Sequence, residues 1–172
     1  MSAAEEKPKG RGAQAQTGEA SDPSPVTRHS SRPIIVVEDD PFPRLIQVIL
    51  DPDTPVARVD AFAHFFAHEL PDFAGWCERL RARLGNIYPA QVRLVADQAA
   101  LLAGLPGAGI VVTESLKVGE AEIAAAGGAL HLVQKYGMVV SNIDASACAQ
   151  ASIRLLTLRR RVNISCAEHA LA

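Results

Sequence analysis

Val92-Arg93-Leu94-Val95, then Asp97-Gln98-Ala99-Ala100-Leu101-Leu102-Ala103-Gly104, then Ile110-Val111-Val112-Thr113 follow one another almost without interruption. The first and third runs are short, apolar and β-branched, the pattern of strands buried on both faces. Between them, Asp97 has the short oxygen side chain that accepts from the N–H groups of a helix's first turn, and Gly104 supplies a stop. Two strands joined by so short a helix pair in parallel through a right-handed crossover.

The same alternation extends in both directions. Toward the C-terminus, a helix through Glu120 to Ala126 ends at Gly127-Gly128, and Leu130 to Gln134 reads as a strand. Asp144 starts a helix to about Gln150, Ile153 to Leu158 is a last strand, and Asn163 or Ser165 caps a final helix. Toward the N-terminus, Ile34-Ile35-Val36-Val37 is a buried strand closed by Glu38-Asp39-Asp40-Pro41. Leu45 to Leu50 is an apolar run of either type, ended by Asp51-Pro52-Asp53. Thr54 and Pro55 read as the N-cap and first position of a helix to about Leu70, with Val59, Phe62, Ala63, Phe66 and Leu70 on one face. Asp72 is placed to cap a second helix through Trp76, Leu80 and Leu84 to Gly85. Alternating elements of this kind predict an α/β fold, a flavodoxin-like open parallel sheet with helices on both faces.

Composition narrows the class. The chain has 172 residues, 48% hydrophobic and 21% charged, enough for one domain with a core. A net charge of −2 provides no basic field for nucleic acid, and no apolar run approaches a membrane span. Residues 1–31 lack aromatics, hold one aliphatic β-branched residue (Val26), and balance Lys7, Lys9, Arg11 and Arg28 against Glu5, Glu6, Glu19 and Asp22. Such a segment buries too little surface to offset its ordering entropy and is expected to be a disordered tail. Cys77, Cys148 and Cys166 are odd in number and widely spaced, consistent with buried thiols in a reducing cytoplasm.

Two families share parts of the pattern. Ile34 to Asp40 resembles the opening of a response-regulator receiver domain, with Asp97, Thr113 and Lys135 in the order of its acceptor, hydroxyl and lysine. Spacing argues against it, since 113 − 97 = 16 residues is short for the receiver's unit and Asp97 leads directly into helix-like sequence. From about Gln91 onward the chain resembles the first, substrate-binding lobe of D-isomer-specific 2-hydroxyacid dehydrogenases. Three segments carry this in order: Val111-Val112-Thr113-Glu114-Ser115-Leu116-Lys117-Val118, then Leu132 through Tyr136-Gly137 to Asn142-Ile143-Asp144, then Ala167-Glu168-His169.

The resemblance implies a domain division: a tail over 1–31, the substrate-binding lobe over 32–162, and the start of an interdomain helix over 163–172. It also implies that a small 2-hydroxy or 2-oxo acid is held by Glu114, Ser115, Tyr136, Gly137, Met138 and Val139. The backbone N–H groups of Met138 and Val139 would cradle its carboxylate. Arg160, in the Arg159-Arg160-Arg161 run after the last strand, is a candidate to bind a second anionic group of the acid or to neutralise Glu114, the alternative being a solvated basic loop or an interdomain contact. Val139 stands where the family has a second glycine, and Thr113-Glu114 stands for its Arg-Ser. NAD or NADP would serve the complete enzyme, bound by a nucleotide-binding domain. No Gly-x-Gly-x-x-Gly turn follows a strand here, because Gly104 to Gly109 precedes one. The chain alone is therefore expected to bind the cofactor weakly and to be inactive. A non-enzymatic acid-binding module is the alternative. His64 and His68 have zinc-compatible spacing but face away from Phe62 and Phe66 and read as a solvated face; His131 reads as a core histidine.

Overall fold

A computed structural model describes residues 32–159; the expected tail, Arg160, the Ala167-Glu168-His169 segment and Cys166 lie outside them. Five strands form one all-parallel sheet: β1 (Ile34–Glu38), β2 (Gln91–Val95), β3 (Ile110–Thr113), β4 (Leu132–Lys135) and β5 (Arg154–Thr157). Their spatial order is β2-β1-β3-β4-β5. That is the doubly wound, flavodoxin-like arrangement that the alternation predicts.

Side chains two apart on a strand share a face, and the two faces are packed differently. Val36, Val111 and Val133, all fully buried, pack with Leu101, Val118 and Cys148 from helices α4 (Gln98–Gly104), α5 (Glu120–Ala125) and α6 (Ala145–Gln150) and their connections. Ile35, Val37, Val92 and Val112 face the other way, against Leu50 and Ile46 of helix α1 (Arg44–Leu50). Helices α2 (Val56–Phe65) and α3 (Phe73–Arg81) add a further layer on that side. There Phe62, Phe66, Phe73 and Trp76 form a run of rings with centroids about 6 Å apart, over Val48 and Cys77. Each such apolar side chain contributes roughly 1.5–3 kcal/mol by leaving water.

Caps set most boundaries as expected. Asp97, Asp72 and Asp144 accept from the N–H groups of Ala100, Gly75 and Ala147, at 2.8, 3.0 and 2.9 Å. Thr54 departs from expectation. Its hydroxyl turns back to the carbonyls of Gln47 and Asp51, closing the end of α1, so α2 begins after Pro55 without a side-chain cap. That helix ends at Phe65, short of Leu70, and α3 ends at Arg81, short of Leu84.

His131 is also corrected. It is exposed and immediately precedes β4, with Nδ1 3.2 Å from the Ala129 carbonyl, because the strand begins at Leu132 and not at Leu130. Asp51, read as a turn former, is buried and holds the outer strand. Its Oδ2 accepts from Val92 N at 2.8 Å, and Oδ1 from Asp53 N at 2.9 Å.

Candidate functional site at the strand ends

In an open parallel sheet, ligands sit beyond the carboxyl ends of the strands, where the chain direction of winding reverses. Here that place is between β1 and β3. Period two puts Glu38, Thr113 and Lys135, the last residues of β1, β3 and β4, on the same face as Val36, Val111 and Val133. Thr113 and Lys135 are direct register partners.

Glu38 reaches from β1 into the loop after β3. Its Oε2 accepts from the backbone N–H groups of Glu114, Ser115 and Leu116 at 2.6, 2.8 and 3.2 Å. The Thr113 hydroxyl lies 2.7 Å from the same oxygen and 3.1 Å from the Leu116 carbonyl, and its single proton serves one of them at a time. The Ser115 hydroxyl donates to Oε1. Partial burial alone would raise the Glu38 pKa; the hydrogen bonds from Ser115, Thr113 and Leu116 outweigh it and lower the pKa from 4.5 to about 2.

The carbonyl side of the loop is held as well. Lys135 Nζ donates to the Glu114 carbonyl, and Asn142 Nδ2 donates to the Leu116 carbonyl at 2.6 Å. The segment Asn142-Ile143-Asp144 is thus a structural clip. Val118 N donates to Asn142 O at 3.0 Å and Asp144 N to Val118 O at 2.8 Å. Ile143 is buried in the core, and Asp144 caps α6.

The turn after β4 runs from Tyr136 to Val140. Tyr136 N donates to Thr113 O at 2.7 Å and Leu158 N to Gly137 O at 3.0 Å, tying the turn to both neighbouring strands. Gly137 has φ +151°, a region that glycine enters far more readily than other residues. Val139 has no positive φ, so its replacement of a glycine costs no backbone strain. Met138 and Val139 are 60% and 72% exposed. Among the described residues, none accepts a hydrogen bond from their backbone N–H groups.

The expected acid-binding residues therefore fall into two neighbouring groups. Tyr136, Gly137, Met138 and Val139 form an open turn. Glu114 and Ser115 form a loop whose N–H groups already hold Glu38. Glu38, Thr113, Lys135 and Asn142 were missed as a set; their signal was their common place at or just after the strand ends.

Other candidates separate from this site. Asp97, two residues beyond the end of edge strand β2, caps α4, and Thr113 occupies the strand end beside β1 where a receiver would carry its acceptor. Asp39 is engaged by Arg44 at 2.5 Å, and Asp40 accepts from Phe42 N at 3.2 Å. Among the described residues, no group of three or more His, Cys, Asp or Glu is placed to hold a metal ion, and His64 and His68 are exposed. Gly104 to Gly109 connects the end of α4 to the start of β3, so it does not form the strand-to-helix turn that seats a dinucleotide pyrophosphate. A cavity of about 550 Å³ between α1 and α2 is lined by Phe42, Phe62, Phe65 and Pro55, with Arg44 and Arg58 at its edge. It is apolar, and its arginines already face Asp39 and Gln47. No helix among the described residues is long and apolar enough to cross a membrane.

No family model and no curated protein matches the chain. Among solved structures, it is similar to the NAD+-bound 3-phosphoglycerate dehydrogenase of Entamoeba histolytica, with 17% identity and a TM-score of 0.46 over 74% of this chain and 33% of that one. It is similar to the pyruvate reductase of Chlamydomonas reinhardtii, with 14% identity and a TM-score of 0.47 over 83% and 33%. It is also similar to a Vibrio cholerae phosphoglycerate oxidoreductase, with 14% identity and a TM-score of 0.42 over 75% and 32%. The matched region spans about a third of the length of each of these proteins.

Proposed function

We propose that residues 32–162 are an acid-binding lobe of the D-2-hydroxyacid dehydrogenase type. In this reading the turn from Tyr136 to Val139 receives the carboxylate of a small 2-hydroxy or 2-oxo acid. One observation carries the reading: at the carboxyl end of an inner parallel strand, in a turn anchored on both sides, the exposed residues Met138 and Val139 have backbone N–H groups with no acceptor among the described residues. In the same reading Glu114, Ser115 and Arg160 would also contribute to holding the acid. Hydride transfer would be the work of NAD or NADP on a nucleotide-binding domain, whether joined to this lobe or supplied by another chain. Tail 1–31 and the interdomain segment 163–172 flank the lobe, in a reducing compartment such as the cytoplasm.

Amide-resolved NMR of the 172-residue chain tests this. Titration with pyruvate or D-lactate is expected to move the Met138 and Val139 amides with millimolar affinity, and NADH alone is expected to move nothing. Unchanged Met138 and Val139 amides at saturating acid would end the assignment of the turn. Oxidation of NADH by the chain alone, with a 2-oxoacid, would overturn the requirement for a second domain.

A further inference from the structure

The loop after β3 has three successive N–H groups aimed at one point, with two hydroxyls beside them. Successive amides converging in this way make a concavity for an oxyanion. The occupant is the Glu38 carboxylate, whose Oε2 lies 2.6, 2.8 and 3.2 Å from the three nitrogens. It is brought there by two methylenes from a strand whose register against β3 is fixed at Val37 and Val112. The three N–H groups and the Ser115 hydroxyl meet Glu38 at its carboxylate oxygens. Ser115 is exposed, so the pocket lies at the protein surface.

We propose that residues 113–116 form an oxyanion site for small carboxylates that the chain keeps filled with its own Glu38. Tethering gives the internal carboxylate an effective concentration well above that of any free acid in solution. Glu38 thereby excludes outside acids from the β1/β3 cleft and leaves the turn at Met138 and Val139 as the place for them. Lys135 Nζ donates to the Glu114 carbonyl of the same loop, and Asp39, next to Glu38, is engaged by Arg44.

Glu38→Ala removes a CH₂–COO⁻ fragment, which has the heavy atoms of acetate. The full-length chain carrying Glu38→Ala is expected to melt several degrees lower than wild type in sodium chloride. It should recover a few degrees in sodium acetate of equal ionic strength, with the Glu114, Ser115 and Leu116 amides shifting as acetate is added. Wild type, and Glu38→Gln, whose amide oxygen still fills the pocket, are expected to melt alike in the two salts. If Glu38→Ala does not fold in chloride, acetate-dependent recovery of its circular dichroism is the expected result.

Equal melting of Glu38→Ala in acetate and chloride, failure of acetate to restore an unfolded variant, or an equal acetate gain in wild type would each overturn the proposal. The amides of residues 114–116 report this site and those of Met138 and Val139 report the turn, so either assignment can fail without the other.

Discussion

Asp51→Ala is expected to destabilise the fold by about 2–4 kcal/mol, and the amount follows from two hydrogen bonds of unequal weight. Asp51 Oδ2 accepts from Val92 N at 2.8 Å, where both residues are buried. Val92 lies on edge strand β2, so without Asp51 its N–H loses its acceptor in a place that water reaches poorly; that alone costs roughly 1–3 kcal/mol. Oδ1 accepts from Asp53 N at 2.9 Å in an exposed turn, where water replaces it at a cost of about 0.5–1 kcal/mol. Asp51→Asn retains one carbonyl oxygen and is expected to keep it on Val92 N, losing only the weaker bond, about 1 kcal/mol. Urea unfolding followed by circular dichroism should rank wild type above Asp51→Asn above Asp51→Ala, with the alanine variant melting roughly 10 °C lower. Hydrogen exchange at Val92 should accelerate selectively in Asp51→Ala. An alanine variant within about 0.5 kcal/mol of wild type, or an asparagine variant as unstable as the alanine one, would refute the view that a buried acceptor holds this strand.

Three further outcomes follow from the same kind of reasoning. Asn142→Ala removes the donor to the Leu116 carbonyl and should cost about 1 kcal/mol in urea unfolding, with faster amide exchange in residues 114–116; unchanged exchange there would argue against the clip. Glu38 has its folded pKa lowered from 4.5 to about 2, so its contribution is fully present above pH 4.5 and lost as pH falls toward 2. The stability gap between wild type and Glu38→Gln should therefore narrow through that window, and a gap constant from pH 6 to pH 2 would contradict the hydrogen bonding described. Burial pushes the Cys77 and Cys148 thiols up from their ordinary value, so both should alkylate slowly at neutral pH in the native chain and quickly in urea; fast native labelling of either would place it at the surface.

Much of the fold was legible because local signals and topology agree. Asp97, Asp72 and Asp144 each precede a short helix and cap it, and the five apolar runs become the five strands of the sheet. Thr54 misled because a hydroxyl before proline can bond backward to the preceding helix as well as forward. His131 misled because the strand begins at Leu132, two residues later than Leu130, which leaves His131 exposed just before the first strand residue. Asp51-Pro52-Asp53 reads as turn chemistry, and nothing local shows that one of its carboxylates reaches a strand 41 residues away.

The site was legible in the turn at Tyr136 to Val139 and obscure in its neighbour. Glu38 invites a metal-binding reading beside Asp39 and Asp40, because adjacent acids are the usual signature of a cation site. Its actual partners are peptide N–H groups on another strand, and peptide groups leave no trace in a residue pattern. Lys135 and Asn142 are in the same position, since both act on backbone carbonyls of the 114–116 loop.

The contact between Glu38 and the loop after β3 also bears on the order in which the chain folds. The two partners are separated by 77 residues, and they meet where the end of β1 lies beside the end of β3. Closing so long a segment is entropically costly and is recovered only once the sheet is assembled. The carboxylate acts as a latch that shuts last. A latch of that kind leaves the rate of folding nearly untouched and lengthens the lifetime of the folded chain, so loss of Glu38 should register in the unfolding limb of the kinetics.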